Sequence, residues 1–453
     1  MRAIPTLKIS ISGVRGVVGD SLTPTLLTRF AQAFGTYTGS GTVVVGRDTR
    51  TSGEMVRQAV AAGLLSSGCR VVDLGVCPVP TVQLAVRHRR AHGGIAITAS
   101  HNPPEWNALK FVGPDGLFLG SGPARELLDI YHQGEYVKVP GANMRSIDVM
   151  TDGLDLHLKA IMDGVGPLPA APKRLRVALD GCNGAGALIA PRLLEALGAD
   201  VVPINITPNG LFPRGAEPVP ENLGALCEAV RAGGCDIGFA QDMDADRLAV
   251  VSELGEPIGE DFTLVLAAWH VLATRPGPVV ANLSTTAALD EVARRFNCPV
   301  VRTKIGEANV TERMVSERAV IGGEGNGGVI YPAINFARDS QVGMALILHL
   351  LASSGKTVSA LMAELPGFVM VKEKLACPSN RIPDVLRMVK REYAGLPMDT
   401  RDGVKVLLEN GWFHVRGSNT EPIVRVVAEG PSRGAARAIV DEVFGRVARV
   451  VAS

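Results

Sequence analysis

Residues 42–74, TVVVGRDTRTSGEMVRQAVAAGLLSSGCRVVDL, carry the pattern that decides the fold. Thr42 to Val45 is a short β-branched run, Glu54 to Leu65 has the spacing of an amphipathic helix, and Arg70 to Leu74 returns to strand-like residues. A strand, a helix and a second strand in that order predict a βαβ unit, and an apolar approach to Ile97 extends it. The rhythm restarts at Leu175 to Leu179 with a helix near Leu188 to Leu197. It restarts again at Val279 to Leu283 with a helix near Ala287 to Phe296. Three similar α/β units in series are therefore expected. From Val369 the order changes to strand, helix (Ile382 to Tyr393), two strands and a terminal helix from Arg433 to about Val450, an α+β pattern. A small, separately mobile fourth domain is expected there. Gly- and Pro-rich joints near Gly164 to Pro172, Leu254 to Glu260 and Pro366 to Gly367 suggest spans of 1–152, 153–256, 257–367 and 368–453.

Composition agrees with a multidomain globular chain. At 453 residues it exceeds one compact core and fits about three to four units. Hydrophobic residues make up 46% and charged residues 20%, enough to bury a real core. A formal charge of +1 gives no global attraction to nucleic acid or an anionic membrane, so neither is expected as a partner and any phosphate affinity must be local. The seven cysteines are scattered and never form C-x-x-C, which argues against a disulfide framework or a zinc site and for a reducing cytoplasm. Met1 to Gly16 has no apolar signal-like core, and no run is as long as a membrane span.

Four segments carry candidate chemistry. Thr98-Ala99-Ser100-His101-Asn102-Pro103 follows the strand-like Gly94 to Ile97 and presents a hydroxyl at a turn. Ser100 is a candidate nucleophile, with His101 and Lys110 as hydrogen-bonding or acid/base partners, and a turn without chemistry is the competing reading. Asp242-Met243-Asp244-Ala245-Asp246-Arg247 lies between two apolar runs. Three alternating carboxylates repel one another unless a cation sits among them, and hard oxygen ligands select Mg²⁺ or Ca²⁺. Glu253 falls at the twelfth position of a calcium EF-hand loop, but Arg247 stands where that loop needs glycine and the flanks read as strands. A strand–loop–strand magnesium site is preferred over both the EF-hand and a solvated acidic turn.

Gly322-Gly323-Glu324-Gly325-Asn326-Gly327-Gly328 allows close backbone approach, and Glu324 and Asn326 suit sugar hydroxyls, although a flexible turn has the same look. Arg416-Gly417-Ser418-Asn419-Thr420-Glu421-Pro422, with Arg425 beyond it, has the makings of a phosphate cradle or of a capped turn before a strand. Gly181 to Gly186 imitates a dinucleotide loop, but its spacing misses G-x-G-x-x-G.

These four segments, in this order, resemble the α-D-phosphohexomutase superfamily of phosphoglucomutases, phosphomannomutases and phosphoglucosamine mutases. Ser12-Gly13-Val14-Arg15-Gly16, Gly46 to Gly53, Pro208 to Pro213 and Arg302 to Gly306 agree with it too. The resemblance implies three α/β domains and a C-terminal α+β domain around a central cleft. It implies a phosphoserine at Ser100, primed by a hexose 1,6-bisphosphate, and one Mg²⁺ per chain held by Asp242, Asp244, Asp246 and the Ser100 phosphate. Arg247 would lie beside that site. Arg15, His101 and Lys110 would contact phosphate or move protons, Glu324 would read the sugar, and Arg416, Ser418, Asn419 and Thr420 would grip the phosphate not being transferred; Asn326 and Arg425 join the sugar and phosphate candidates on the residue reading alone.

Two departures stand out. Many members have Ser-Gly-His where this chain has Asn326-Gly327-Gly328, and the familiar Phe-Gly-Thr is Ile9-Ser10-Ile11 here. The Glu-x-Asn-Gly-Gly form resembles archaeal-type phosphoglucosamine mutases. The resemblance thus implies a cytoplasmic isomerase of small phosphosugars, monomeric or homodimeric. Phosphoglucosamine mutase comes first, phosphomannomutase/phosphoglucomutase is the alternative, and a phosphosugar phosphatase or a non-catalytic sensor is the remaining competitor.

Overall fold

The protein is described by a computed structural model covering residues 6–10, 13–170, 173–418 and 422–452. Thr42–Arg47 lies inside a seven-stranded sheet, next to its central strand Gly93–Ile97 and parallel both to it and to Arg70–Val76, with helix Gly53–Ser66 as the crossover to the latter. The βαβ unit expected from residues 42–74 is therefore present. Trp106–Val112 then returns antiparallel to Gly93–Ile97, and Gly13–Val17 and Lys8–Ser10 complete that edge. The turn carrying Ser100 is thereby placed at the carboxyl end of a central strand, where α/β sheets present their ligand sites.

The second sheet has the order Leu248–Ser252, Ile237–Gln241, Arg176–Asp180, Asp200–Ile204. The third has the order Val300–Thr303, Val279–Asn282, Ile321–Glu324, Gly328–Ile330. Each mixes parallel strands with one antiparallel hairpin, closed by Gln241 opposite Leu248 in the second and Glu324 opposite Gly328 in the third. The aspartate triplet is the turn of the first hairpin, as the strand–loop–strand reading expects. In the third sheet the turn is shorter than the sequence suggests, because Gly322 and Gly323 are paired strand residues. A Cβ at Gly322 would lie 2.5 Å from Met314 Sδ and 2.6 Å from the Val280 carbonyl, so packing rather than turning requires that glycine.

One apolar core joins these two sheets. Leu179 and Phe239 from one meet Ala281 and Ile321 from the other around helices Asp261–Thr274 and Ser340–Ser354. Residues Ser340 to Leu351 are all buried, which is why this helix shows no polar face in the sequence.

The last sheet is antiparallel, in the order Val369–Ala376, Ile423–Gly430, Gly411–Gly417, Val404–Leu408, Met398–Asp399. Helices Ile382–Glu392 and Arg433–Ala452 accompany it, and it has its own core around Phe413, Val426 and Val443. Between the helices there are four strands rather than the two expected. Val404–Leu408 and Gly411–Gly417 are separated only by Glu409 and Asn410, so the hairpin reads as one run, and Met398–Asp399 is two residues long. Among the described residues, no helix is long and apolar enough to cross a membrane.

Candidate active site

Ser100 follows strand Gly93–Ile97 with a φ of +49°, a region that a residue with a side chain enters only when its surroundings impose it. Arg50 supplies that constraint. The residue is only 1% exposed, and its guanidinium donates to four carbonyls of the loop: Ser100 at 2.7 Å, Asn102 and Pro103 at 2.6 Å, and Trp106 at 2.9 Å. Asp48 accepts from Arg50 Nε at 3.1 Å, and the Phe212 ring lies 5.0 Å from the guanidinium carbon. The Ser100 N–H donates to the Thr98 hydroxyl at 2.9 Å. So fixed, Ser100 sends its hydroxyl across to the second sheet's hairpin, where Oγ donates to Asp242 Oδ2 at 2.9 Å.

Asp242, Asp244 and Asp246 are fully buried, and one carboxylate oxygen from each lies within 4.8 Å of the others. Ala245 turns the hairpin with a φ of +56°, so the alternating carboxylates face one point. Burial first, then the neighbouring Asp244 and Asp246, pushes the Asp242 carboxyl well above the usual carboxylate range. Burial also presses Asp244 upward, but Lys110 Nζ at 2.8 Å outweighs it and leaves Asp244 below that range. Asp244 Oδ1 and Asp246 Oδ1 are buried without a hydrogen-bond partner. Buried carboxylate oxygens left without donors are what a hard divalent cation takes up, so these residues fit such an ion.

The expected acid/base and phosphate partners gather around the same point. Burial would lower Lys110, but Asp244 and Asp246 outweigh it and hold the ammonium charged. His101 is held well below its ordinary value, first by the charge of Arg247 and then by burial, so its imidazole is neutral near pH 7. His101 Nδ1 is buried and unpartnered. Arg247 donates to Glu217 at 2.9 Å and stands 3.8 Å from Asp246. Arg15 donates to the Asn102 side chain at 3.4 Å, beside Ser100.

The sugar and phosphate candidates connect to this centre through residues the sequence did not single out. Glu324 is buried, with Oε1 accepting from Asn282 at 2.9 Å and from the Gly306 N–H at 2.8 Å, and Oε2 accepting from Arg338 at 2.9 Å. Arg338 also donates to Asp246 Oδ2 at 2.6 Å. The Ile305 N–H donates to Asp402 at 2.9 Å, and the same carboxylate accepts from Arg416 at 3.4 Å. A chain of contacts thus runs from Ser100 through the aspartate hairpin and Glu324 to Arg416. Asn326 sits in the tight turn and accepts the Gly328 N–H at 3.3 Å. Arg416 and Arg425 are register partners on neighbouring strands, so they share one face. Ser418 ends that strand pair through its N–H to Ile423. Asn419 and Thr420, like Ile11 and Ser12 near the amino end, lie outside the described residues.

Comparison with known proteins places this architecture. Residues 7–138, 157–255 and 259–368 match α/β/α domains I, II and III of the phosphoglucomutase/phosphomannomutase models, and residues 370–446 match their C-terminal domain. A probable phosphoglucosamine mutase of Methanopyrus kandleri is 39% identical over 451 residues, covering 97% of each chain. The chain belongs to the phosphoglucomutase/phosphomannomutase family. A phosphoglucomutase/phosphomannomutase of Thermococcus kodakarensis is also 39% identical, over 94% of this chain and 95% of its own. The crystal structure of a family member from Burkholderia thailandensis superposes with a TM-score of 0.86 at 28% identity, covering 99% and 97% of the two chains.

This α-D-phosphohexomutase is therefore an isomerase of the phosphohexomutase class. Of the residues that organise its centre, Arg50 lay within a quoted family segment but no local pattern gave it a task. Arg338 and Asp402 left no signal, because their partners are distant in sequence.

Proposed function

We propose that this phosphohexomutase interconverts hexosamine 6-phosphate and 1-phosphate through a phosphoserine at Ser100, acting as a phosphoglucosamine mutase. The observation that carries the reading is the 2.9 Å hydrogen bond from Ser100 Oγ to Asp242, inside a buried aspartate triplet from another sheet. The Glu-x-Asn-Gly-Gly form at residues 324–328 and relatives named as probable phosphoglucosamine mutases support the choice of sugar. Phosphomannomutase/phosphoglucomutase activity is the alternative, favoured by the relative of that name at 39% identity. Seven free thiols fit the proposed cytoplasmic setting.

Phosphoryl transfer asks for positioning and charge compensation rather than covalent work from the protein. Asp242, Asp244 and Asp246 would hold one Mg²⁺, which when bound offsets negative charge on the phosphoryl oxygens. The chain's own groups do the rest. Ser100 Oγ, once phosphorylated by a hexose 1,6-bisphosphate, gives its phosphoryl group to O1 of the hexose 6-phosphate, breaking the Oγ–P bond and forming O1–P. The O1 proton passes by way of the neutral imidazole of His101 to the departing Ser100 Oγ, which is left as a hydroxyl, while charged Lys110 and Arg247 steady the phosphoryl oxygens. The resulting 1,6-bisphosphate turns over, Ser100 Oγ takes the 6-phosphoryl group as the O6–P bond breaks, and the Oγ proton passes by way of His101 to O6. Arg416 and Arg425 grip whichever phosphate is not moving.

Ser100→Ala is expected to abolish turnover with the circular dichroism spectrum unchanged, and Asp244→Asn to weaken the magnesium dependence of the rate. Isomerisation rates on glucosamine, glucose and mannose 6-phosphates rank the sugars. Near-normal turnover by Ser100→Ala would overturn the phosphoserine route.

A further inference from the structure

Arg338 touches three buried carboxylates from separate parts of the chain. Its Nε donates to Glu307 Oε2 at 3.0 Å, Nη1 to Glu324 Oε2 at 2.9 Å and Nη2 to Asp246 Oδ2 at 2.6 Å. Its own N–H faces Glu307 Oε1 at 3.3 Å, and the Asp339 N–H anchors the following residue to the Val329 carbonyl at 2.8 Å. The guanidinium is planar and its donors point in fixed directions, so three acceptors on one fork are held in one mutual geometry.

Two consequences follow from which oxygens it takes. By engaging Oδ2 of Asp246 it leaves Oδ1 buried without a hydrogen-bond partner, 3.8 Å from Arg247 Nε, as the oxygen free to take a cation. By engaging Oε2 of Glu324, whose other oxygen is already held by Asn282 and Gly306, it fixes the carboxylate rotamer of the sugar-reading candidate. A third observation ties in position 328. A Cβ built on Gly328 would lie 2.3 Å from Arg338 Cδ and 2.9 Å from Cγ. Because the far end of Arg338 is pinned by three carboxylates, the stem cannot swing aside without giving some of them up. Gly328 has no positive φ, so its backbone does not itself demand glycine.

We propose that Arg338 is a positioning residue that sets the sugar-reading Glu324 and the cation-facing Asp246 together, and that Gly328 is glycine to leave room for it. The proposal rests on the roles given above to Glu324 and the aspartate triplet. It predicts that sugar and ion affinities move together when Arg338 is displaced, although the residue touches neither ligand.

The test uses the full chain and two variants that keep the positive charge. Arg338→Lys retains an ammonium but loses the fork, and Gly328→Ala pushes the arginine stem from its seat. Glucosamine 6-phosphate binding is measured by calorimetry, Mn²⁺ binding by electron paramagnetic resonance without sugar, and folding by thermal melts. Each variant is expected to weaken the sugar phosphate roughly tenfold and Mn²⁺ by roughly threefold or more, with cooperative melting retained. Affinities for both ligands within about twofold of the parent chain in folded variants would overturn the proposal, as would a change in one affinity alone. Should one variant fail to fold, the other decides. Absence of mutase turnover in the parent chain would sink the functional reading instead, and the two binding measurements would still judge Arg338.

Discussion

Ser100 and the three aspartates show what a handful of residues cost and gain. Three buried carboxylates whose oxygens come within 4.8 Å repel one another, and burial removes the water that would screen them. An ion-free centre is therefore strained by its own ligands. Asp242→Asn removes the carboxyl that burial and its two neighbours most disfavour as an anion, while leaving an acceptor for Ser100 Oγ. It is expected to raise the melting temperature in the presence of a chelator by about 2–4 °C and to erase the stabilisation that added Mg²⁺ gives the parent chain; thermal melts with and without the ion measure both. These residues were legible in the sequence because their spacing is local: aspartates two apart in one turn speak for themselves. Glycine at 328 was legible only as a departure, and its reason lies ten residues away in the stem of Arg338.

At the level of elements, loops carry the chemistry and buried arginines make the loops rigid. Four carbonyl acceptors on Arg50 fix the Ser100 turn, and without them the positive φ at Ser100 would have no counterweight. Arg50→Lys can satisfy only part of that set from one ammonium. Its turnover is expected to fall by roughly a hundredfold, the scale of a 1 Å misplacement of a reacting group, with the KM for hexose phosphate changed less; steady-state kinetics separates the two. The strands flanking these loops were readable from β-branched runs, and the aspartate loop was correctly read as strand–loop–strand, which the structure pairs as an antiparallel hairpin. Of the two extra strands of the last domain, one escaped because it is only Met398–Asp399, and the other because Glu409 and Asn410 alone separate it from its neighbour, so the two arms read as one run.

Across the whole molecule, the second and third sheets share one core, whereas the last domain has its own and meets the third through polar contacts. Lys405 donates to the Leu283 carbonyl at 2.7 Å, Glu429 accepts the Ala287 N–H at 3.0 Å, and Ser284 and His414 are hydrogen-bonded at 2.8 Å. Burial pushes Lys405 down from 10.5 to about 7, while His414, brought by burial to about 4, stays neutral above that. The penalty for burying the Lys405 charge is in full force below the folded value. Between about 7 and 10.5 the unfolded chain binds more protons at this site than the folded one, so stability rises with pH through that window. Lys405→Met is expected to flatten that rise, read as melting temperature against pH. What the sequence determined alone was everything that depends on near neighbours: the βαβ rhythm, the aspartate spacing, the serine at a strand end. Only the tertiary structure decided that Ser100 meets Asp242, that Arg50 and Arg338 each bind groups far from them in sequence, and that two domains share a core. Contacts of that kind join residues separated by tens to hundreds of positions, and no local pattern of side chains encodes which distant carbonyl or carboxylate a buried guanidinium will meet.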